Sequence, residues 1–332
     1  MQPTVSPEID RNEFLREAEM YRGELIAHCY RMVGSVHEAE DLVQDAYLRA
    51  WRSWESFEGR SSVRAWLYRI ATNVCLTAVA GRQRRVLPSG LGPAMTEFAE
   101  PVEPGPLWLE PFPDRLSDSS DPAEIVASRS NLRLALVASL QHLPPRQRAV
   151  FILREVLAYP AAEVADMLEM SVVAAKSALQ RARAKLDQVT PRDDAVIEPD
   201  SPQARALLQR YMEAFEYADI AALTELLRHD ATLESVPLRS WQSGKRSCVA
   251  QLARWVLGEA GHFRMYPTIA NGQPAAVAYF RGHLDDEFVA FGVAVLAIDG
   301  HHVTGITAFL DPTLVPAFGF PEIAGSLTGE VR

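Results

Sequence analysis

Cysteine is scarce in this sequence, and its scarcity excludes whole classes of protein. The chain has 332 residues but only three cysteines, Cys29, Cys75 and Cys248, and no two of them form a CxxC pair. This spacing excludes a disulfide-stapled secreted module and predicts a reducing, cytoplasmic compartment. Charged residues from Arg11 onward interrupt the N-terminal segment, so we expect no secretory signal peptide.

Long apolar runs are missing as well. No uninterrupted apolar stretch approaches the roughly 18–20 residues that a membrane-spanning helix needs, so we expect no membrane partner. Histidine and cysteine residues do not recur at metal-ligand spacing, so we expect neither a metal nor a cofactor. The composition that remains, 48% hydrophobic and 23% charged, is that of a folded soluble protein. The length predicts two or three domains.

Acidic residues outnumber basic ones, but unevenly along the chain. The net charge of −10 argues against nucleic-acid binding if it is taken for the whole molecule. The acidic excess lies in residues 88–141 and 188–332, whereas residues 1–87 carry 12 basic and 12 acidic side chains and residues 142–187 carry 7 and 5. Electrostatic binding depends on local patches, so the overall acidity does not exclude DNA as a partner.

Hydrophobic periodicity divides the chain into four parts. Residues 12–87 and 128–188 have the spacing of amphipathic helices. Residues 88–127 contain many of the 22 prolines together with acidic and small polar residues, which predicts a linker that packs poorly. Residues 203–318 change to two helical stretches followed by strand-like runs, "AAVAYFRG", "FVAFGVAVLAID" and "HVTGITAFL". The pattern predicts a multidomain protein with two all-α domains and one α+β domain.

Short local signals predict where several of these elements begin and turn. "SVHEAEDLVQDAYLRAW" begins as a capping box, with Ser35 as the N-cap and Glu38 three residues later. After the loop "FEGRSS", Ser61 is expected to cap a third helix that runs to about residue 80. In the α+β part, Asn271-Gly272 and Asp299-Gly300 predict hairpin turns.

The stretch "WRSWESFEGRSSVRAWLYRIATNVC" contains three of the six tryptophans. Helical geometry predicts that Trp54 continues a buried stripe. The flanks of the third helix carry Trp66, Arg69 and Asn73 on one side and Arg64 with Tyr68 on the other. Aromatic and cationic groups at the margin of a packed stripe suit contact with an opened nucleic-acid strand. We therefore interpret the stretch as a core tryptophan, a loop and a DNA-facing flank, not as one aromatic patch.

A helix-turn-helix is predicted in "EVADMLEMSVVAAKSALQRARAKL". A short helix from about Ala162 to Leu168 precedes a tight turn, and Ser171 caps a second helix. That helix contains four basic residues and no acid before Leu186, which suits docking in the major groove. Glu169 occupies the turn where glycine usually adopts the left-handed conformation, at a cost of about 1 kcal/mol. A basic amphipathic helix on another kind of bundle is the alternative interpretation.

The two helical parts together resemble a known family. "EAEDLVQDAYLRAW", "RAWLYRIATNVCL", "LPPRQRAVFILREV" and "KSALQRARAKL" are similar, in this order, to regions 2 and 4 of the extracytoplasmic-function (ECF) sigma factors of bacterial RNA polymerase. "YMEAFEYADIAALTELLRHDATLES" and "GITAFLDPTLVPAFGFP" resemble the SnoaL-like, nuclear transport factor 2-like cone. The fusion, with "RGELIAHCYRM" and "IANGQPAA", is most similar to the actinobacterial sigma-G type. The resemblance covers roughly residues 20–320.

The resemblance implies functional roles for particular residues. In region 2, the residues expected to face the polymerase β′ coiled coil are Asp41, Gln44 and Asp45. The residues expected to open the −10 element are Gly59, Arg60, Ser61, Ser62, Arg64, Trp66, Arg69 and Asn73, with a basic track at Arg82, Arg84 and Arg85. In region 4, which would meet the β flap, those expected to read the −35 element are Ser171, Lys176, Ser177, Gln180, Arg181 and Arg183. Ala174 and Ala178 replace polar family residues, which implies weaker direct readout.

For the third domain the residues leave three possibilities open. Acid/base candidates lack diagnostic spacing: Glu234, His262, Asp299, His301, His302 and Asp311. A set of rings forms either a core or a pocket for an unknown small ligand: Trp241, Trp255, Phe263, Tyr266, Phe280 and Phe291. We favour a sigma factor whose acidic third domain tunes promoter opening. The alternatives are a helix-turn-helix regulator with a small-molecule-binding domain, and a bifunctional cyclase-like enzyme.

Overall fold

A computed structural model describes residues 14, 16–57, 59, 61–95, 107–117, 131–189, 197–239, 241–255 and 258–326. The chain divides into two compact units. The first combines Met1–Arg85 with Leu116–Pro191, and the second combines Val86–Arg115 with Arg192–Arg332. No helix in these described ranges is both long and apolar enough to cross a membrane.

After a short helical stretch at residues 16–19, the first unit contains the helices α1 (Arg22–Val33), α2 (Val36–Ser53) and α3 (Val63–Ala78). The predicted N-cap Ser35 is confirmed, because its Oγ accepts the Glu38 amide at 3.1 Å. Ser61 was the wrong cap for α3. The helix begins one residue later than the pattern indicated, and Ser62 Oγ accepts the Ala65 amide at 3.1 Å. The three helices pack pairwise around a core that includes Leu25, which is fully buried.

Within the described ranges, later helices of this unit include α4 (Leu134–Leu140), α5 (Pro145–Phe151), α6 (Ala161–Met167) and α7 (Val172–Val189). The α5 helix continues into a single π-helical turn, Ile152–Val156. The predicted helix-turn-helix is confirmed in α6 and α7. Glu169 in its turn has the left-handed φ of 51°, and Ser171 Oγ accepts the Ala174 amide at 3.1 Å.

A buried arginine joins the two helical regions within the first unit. The Arg148 guanidinium is 4% exposed. It donates to the Met32 carbonyl, to Gln141 Oε1 at 2.6 Å, and to the Gln141 and Leu143 carbonyls at 3.2 Å. Burial lowers the pKa of Arg148 to about 10, so the group stays charged at neutral pH. A buried charge needs acceptors of this kind, and those that the two Nη atoms reach couple α1 to α5.

A buried histidine occupies the centre of the same core. His28 is fully buried in α1, and its Nε2 lies 2.9 Å from Thr72 Oγ1 of α3. Its Nδ1 has no hydrogen-bond partner within the described structure. Burial is the largest cause that lowers the pKa of His28 to about 3, with the Arg31 charge adding to it. The neighbouring Cys29 is also fully buried, as expected for a packing role.

Acidification should therefore destabilise the first unit through His28. Between pH 6.5 and 3 the unfolded state binds more protons than the folded state, so stability is greatest above pH 6.5 and falls as the pH decreases. From pH 7 to 4.5 we expect His28 to contribute a loss of about 2–3 kcal/mol. Urea titrations with fluorinated tryptophan, in which Trp51, Trp54 and Trp66 report the first unit, measure this loss.

The His28→Gln variant should lack this part of the pH dependence. The matched control is His229→Gln, which removes a histidine that is 89% exposed in the side chain and should leave the loss unchanged. An equal loss in wild type and His28→Gln would show that His28 does not titrate as the buried geometry requires.

The second unit is an α+β domain. Its helices are α8 (Pro202–Glu216), α9 (Ile220–Leu226) and α10 (Lys245–Trp255). Its strands are β1 (Leu227–Val236), β2 (Trp241–Ser243), β3 (Phe263–Ala270), β4 (Gln273–Phe280), β5 (Val289–Ile298) and β6 (Val303–Phe309). They form one sheet in the order β2-β1-β6-β5-β4-β3. Only β1 and β6 pair in parallel among these strands.

Local turn chemistry and helix packing explain this sheet. Asn271 and Gly272 have φ values of 56° and 62° and connect β3 to β4, which confirms the predicted two-residue hairpin. Gly300, with φ 91°, lies in the turn between β5 and β6. The α8, α9 and α10 helices cover one face of the sheet, where Leu223 and Leu233 are fully buried in a continuous apolar core.

The proline-rich segment differs from the expectation of poor packing. Its described parts, 86–95 and 107–115, belong to the second unit, where Leu109 and Phe112 are fully buried. The Phe112 amide donates to Asn271 Oδ1 at 2.9 Å, and its carbonyl accepts the Asn271 amide at 2.8 Å. Proline removes backbone donors but not apolar side chains. The leucine and phenylalanine between the prolines can therefore fill a hydrophobic core.

Candidate nucleic-acid interface

The α2 helix exposes one polar face. Asp41, Gln44 and Asp45 are all exposed, on the side opposite the buried stripe that includes Leu42. Leu48 follows one turn later at the same spacing and is 55% exposed. An exposed leucine bordered by carboxylates is typical of a protein contact surface. Sequence reasoning missed Leu48 because an apolar residue in a helix is ordinarily assigned to the core.

The loop before α3 presents small polar groups. Gly59 is exposed with a left-handed φ of 67°, and Ser61 and Ser62 are exposed as well. Ser62 Oγ accepts the helix-capping bond, which leaves its hydroxyl proton available to a ligand. Arg60 lies outside the described residues.

The rings of this stretch form one cluster, contrary to the sequence interpretation. Trp54 stacks on Phe57 with ring centroids 5.6 Å apart, and Trp66 lies 4.9 Å from Phe57 and 5.8 Å from Trp54. Phe14 closes the cluster at 5.1 Å from Trp54 and 5.8 Å from Trp51. The helical turn at Trp54–Ser56 and the loop return the chain, so that the start of α3 lies beside the end of α2. Separate helical wheels do not show this contact.

The arginines of α3 form ion pairs inside the first unit. Arg64 Nη2 lies 2.6 Å from Glu24 Oε2, and the same oxygen accepts the Tyr68 hydroxyl at 2.9 Å. Tyr68, placed on a flank by the helical wheel, is in fact fully buried core. Arg69 lies 3.7 Å from Asp166 and 3.5 Å from Glu169, in the helix-turn-helix. A phosphate would compete with these carboxylates for the guanidinium groups of Arg64 and Arg69.

The remaining predicted groups of region 2 lie nearby. Asn73 is half-buried on α3. Arg82 and Arg85 both pair with the Glu38 carboxylate, and Arg84 lies 2.6 Å from His142 Nδ1. The carboxylate of the predicted capping box therefore binds the basic track.

The α7 helix exposes most of its predicted reading face. Ser171, Lys176, Gln180, Arg181 and Arg183 are exposed and Ser177 is half-buried. Arg183 Nη2 lies 2.9 Å from Glu155 Oε1. The position of Ala178 corrects the expectation that it lies near bases, because it is only 5% exposed and packs in the helix-turn-helix core. Sequence reasoning missed Val173, which is 74% exposed at the start of α7, where major-groove contacts are made.

The acid/base candidates of the second unit have structural roles. Glu234 Oε2 accepts the Ser89 amide at 2.8 Å, and burial raises its pKa. Asp299 accepts the His301 and His302 amides at 3.0 and 2.8 Å, and it also pairs with an arginine. Asp311 caps the following helical turn. His262 Nδ1 lies 2.8 Å from the Arg281 carbonyl. No cluster of three or more His, Cys, Asp or Glu residues that could hold a metal occurs in the described ranges.

Three of the candidate pocket rings, Phe263, Phe280 and Phe291, lie together. Phe263 and Phe291 line a cavity inside the second unit. Phe280 packs on both of these rings, at 5.1 and 5.8 Å. Tyr266 contacts Tyr279 and Phe320 instead. Trp241 donates its Nε1–H to the Gly92 carbonyl at 2.9 Å, and the side chain of Trp255 lies outside the described structure.

The first unit combines a helix-turn-helix whose second helix is basic with the packed helices α1 to α3, which expose an acidic face. This combination is that of a DNA-binding transcription protein. Two family models match these parts: Sigma-70 region 2 over residues 18–85 and Sigma-70, region 4 over residues 133–186. The ECF RNA polymerase sigma factor SigG of Mycobacterium tuberculosis is 49% identical over 316 residues, which cover 94% of this chain and 85% of SigG. SigJ of the same organism is 31% identical over 217 residues, covering 65% of this chain and 62% of SigJ.

The chain therefore belongs to the ECF RNA polymerase sigma factors. Its regions 2 and 4 support promoter recognition and transcription initiation, with core RNA polymerase and promoter DNA as partners. The crystal structure of M. tuberculosis SigJ shares the fold, with a TM-score of 0.59 at 23% identity over 93% of this chain and 99% of that chain. The second unit has the α+β class that the sequence predicted. A stand-alone regulator would have no region 2.

Proposed function

We propose that the exposed face of α2 docks on the β′ coiled coil of core RNA polymerase, and that region 4 engages the β flap. The observation that carries this proposal is the exposure of Asp41, Gln44 and Asp45 in one row with Leu48. An apolar contact at the centre with carboxylates around it suits a basic partner, because complementary charge speeds docking and sets its register. The alternative is that Asp41 and Asp45 belong to an ordinary solvated helix face that binds no partner.

The loop and the start of α3 open the −10 element in this proposal. Gly59, Ser61 and Ser62 are exposed and offer backbone and hydroxyl groups to a flipped base, with Arg60 included on sequence grounds. Flipping a base costs a few kcal/mol, which stacking and hydrogen bonds must offset. Trp66 supplies an aromatic surface at the edge of the ring cluster. Arg64, Arg69 and Asn73 bind the separated strand, whose phosphates compete with the carboxylates for the two arginines.

The α7 helix reads the −35 element. Val173 and Ala174 are exposed at its start and suit apolar contact with thymine methyl groups. Ser177 and Gln180 supply hydrogen bonds to base edges. Lys176, Arg181 and Arg183 bind phosphates and position the helix.

The second unit tunes promoter opening and has no catalytic role. Support comes from the segment 86–115, which joins region 2 to region 4 in the chain yet packs in the second unit. A change at the contacts of this segment, such as those of Phe112 with Asn271, would therefore reach the connection between the two DNA-binding regions. Among the described residues, the cavity lining contains no Asp, Glu, His, Lys or Arg side chain that could perform cyclase chemistry. We place the protein in the cytoplasm, where core polymerase acts.

Reconstitution with core RNA polymerase tests this function. The full chain should co-migrate with core polymerase and direct transcription from a subset of a randomised promoter library. Lys176→Ala should weaken promoter binding about 3- to 10-fold across all selected sequences and reduce the salt dependence by about one released counterion. Lys185→Ala is the matched control, since nine residues at 100° each place Lys185 on the opposite face of α7.

Two outcomes would contradict the proposal. Failure of the chain to bind core polymerase would support a stand-alone regulator instead. Equal losses of promoter binding for Lys176→Ala and Lys185→Ala would show that α7 does not present the proposed face to DNA.

A further inference from the structure

The second unit contains a cavity of about 210 Å³. It lies between the helix-covered face of the sheet and the helices α8 and α10. Phe263, Met265 and Phe291 supply part of its apolar wall. None of the described side chains that line it is charged. Protein interiors are otherwise packed to crystal-like density, so this apolar, partly open space is a site that a small ligand could occupy.

Three polar side chains interrupt the apolar lining: Tyr211 of α8, Ser235 of β1 and Gln251 of α10. Tyr211 is 2% exposed, and its ring packs on Phe215 at a centroid distance of 4.8 Å. Its hydroxyl is not among the fully buried polar atoms that lack a partner in the described part of the chain, and burial is the cause of the raised pKa of Tyr211. The hydroxyl is therefore protonated and able to donate.

Two other buried tyrosines donate their hydroxyls to acceptors within the chain. The Tyr68 hydroxyl donates to a carboxylate at 2.9 Å, and the Tyr279 hydroxyl donates to the Pro321 carbonyl at 2.7 Å. Leaving a buried hydroxyl unpaired is unfavourable, so such groups almost always have a protein or ligand partner. A phenylalanine would fill the same space without this cost. Because Tyr211 lines the cavity, its hydroxyl is available to hydrogen-bond a ligand that enters.

We propose that this cavity binds a neutral, predominantly apolar small molecule of about two fused rings, held by one hydroxyl or carbonyl group that hydrogen-bonds to Tyr211. An engineered apolar cavity of about 150 Å³ binds benzene, so the larger volume here admits a second ring. The uncharged lining excludes carboxylates and amines, because an unpaired charge transferred from water into such a site is strongly unfavourable. This site goes beyond promoter recognition and does not depend on it.

Binding of three probes to the full chain tests the proposal. 1-Naphthol has two rings and one hydroxyl, naphthalene lacks the hydroxyl, and 1-naphthoate carries a charge. By calorimetry we expect saturable one-to-one binding of 1-naphthol, about tenfold weaker binding of naphthalene, and no binding of 1-naphthoate. Methyl NMR of labelled methionine should show a ring-current shift of Met265 and no shift of Met20, which is 68% exposed.

Two substitutions locate the binding site. Tyr211→Phe should reduce the affinity for 1-naphthol to that for naphthalene. The matched control is Tyr217→Phe, which removes the hydroxyl of a 71% exposed tyrosine just beyond the same helix and should change nothing. Ala278→Phe should fill the cavity and abolish binding of both neutral probes. If that variant fails to fold, the Met265 shift and Tyr211→Phe still decide the question.

The proposal is overturned if saturating 1-naphthol leaves the Met265 methyl unshifted, or if 1-naphthoate binds as tightly as 1-naphthol. Unchanged 1-naphthol affinity in Tyr211→Phe would overturn the assigned hydrogen bond. These measurements need no polymerase or DNA, so their failure is distinguishable from a failure of the proposed transcription function.

Discussion

Reversing two charges on α2, Asp41→Lys with Asp45→Lys, is expected to weaken binding to core RNA polymerase by about 100-fold or more. Each reversal replaces a favourable contact with a basic partner by repulsion, and close charge pairs at interfaces carry about 1.5 kcal/mol or more each. Two such losses give about 3 kcal/mol, which corresponds to roughly 100-fold in affinity. Both side chains are exposed, so the fold should not change. Competition with a fluorescently labelled chain for core polymerase measures the effect.

A double variant with the same charge change in the second unit is the control. Asp285→Lys with Glu287→Lys alters two exposed acids in the loop between β4 and β5. It should leave core binding within about threefold of wild type, because long-range effects of surface charge are screened at physiological salt. Comparable losses in the two double variants would show that total charge, rather than the α2 face, determines the affinity.

Replacing Phe112 by alanine is expected to lower the stability of the second unit by about 3–5 kcal/mol. Phe112 is fully buried although it lies in the proline-rich segment, and its backbone pairs with Asn271 in the turn between β3 and β4. The variant loses apolar burial and leaves a void that the rigid hairpin cannot close. Native-state hydrogen exchange of peptides from β3 to β6 measures the loss for this unit separately.

Leu107→Ala is the control for Phe112→Ala. Leu107 belongs to the same segment but is 41% exposed, so its truncation should cost less than about 1 kcal/mol. If the second unit tunes promoter opening through this segment, Phe112→Ala should also change the yield of open complexes at saturating core polymerase. A loss no larger than that of Leu107→Ala would contradict the packing of the segment in the core.

Local signals in the sequence were sufficient for several elements. The caps at Ser35 and Ser171, the left-handed Glu169 and the Asn271-Gly272 hairpin are confirmed. Each depends on hydrogen bonds or backbone sterics among residues at most four positions apart. The same short-range periodicity placed the buried stripe of α2, because the spacing of buried residues along one helix does not depend on its partner.

Contacts between distant segments were not predictable in this way. The packing of Phe112 on Asn271 joins residues 159 positions apart, and Arg148 meets the Met32 carbonyl across 116 positions. Composition predicted that the proline-rich segment is a linker. A count of prolines does not show that the leucine and phenylalanine side chains between the prolines are buried. The phosphate-binding role of the α3 arginines stays a prediction, but the sequence did not show that Arg69 also pairs with acids of the helix-turn-helix.

The sequence by itself determined the order of the parts, the helix-turn-helix and the family, because these follow from local patterns and long similar stretches. Only the tertiary structure decided which rings cluster, which arginines are already paired, that the proline-rich segment completes the second unit, and that Tyr211 borders a cavity. These properties depend on which surfaces meet in the folded chain. Burial and pairing depend on contacts between residues that are many tens of positions apart in the chain. Patterns within a few residues carry no information about such contacts.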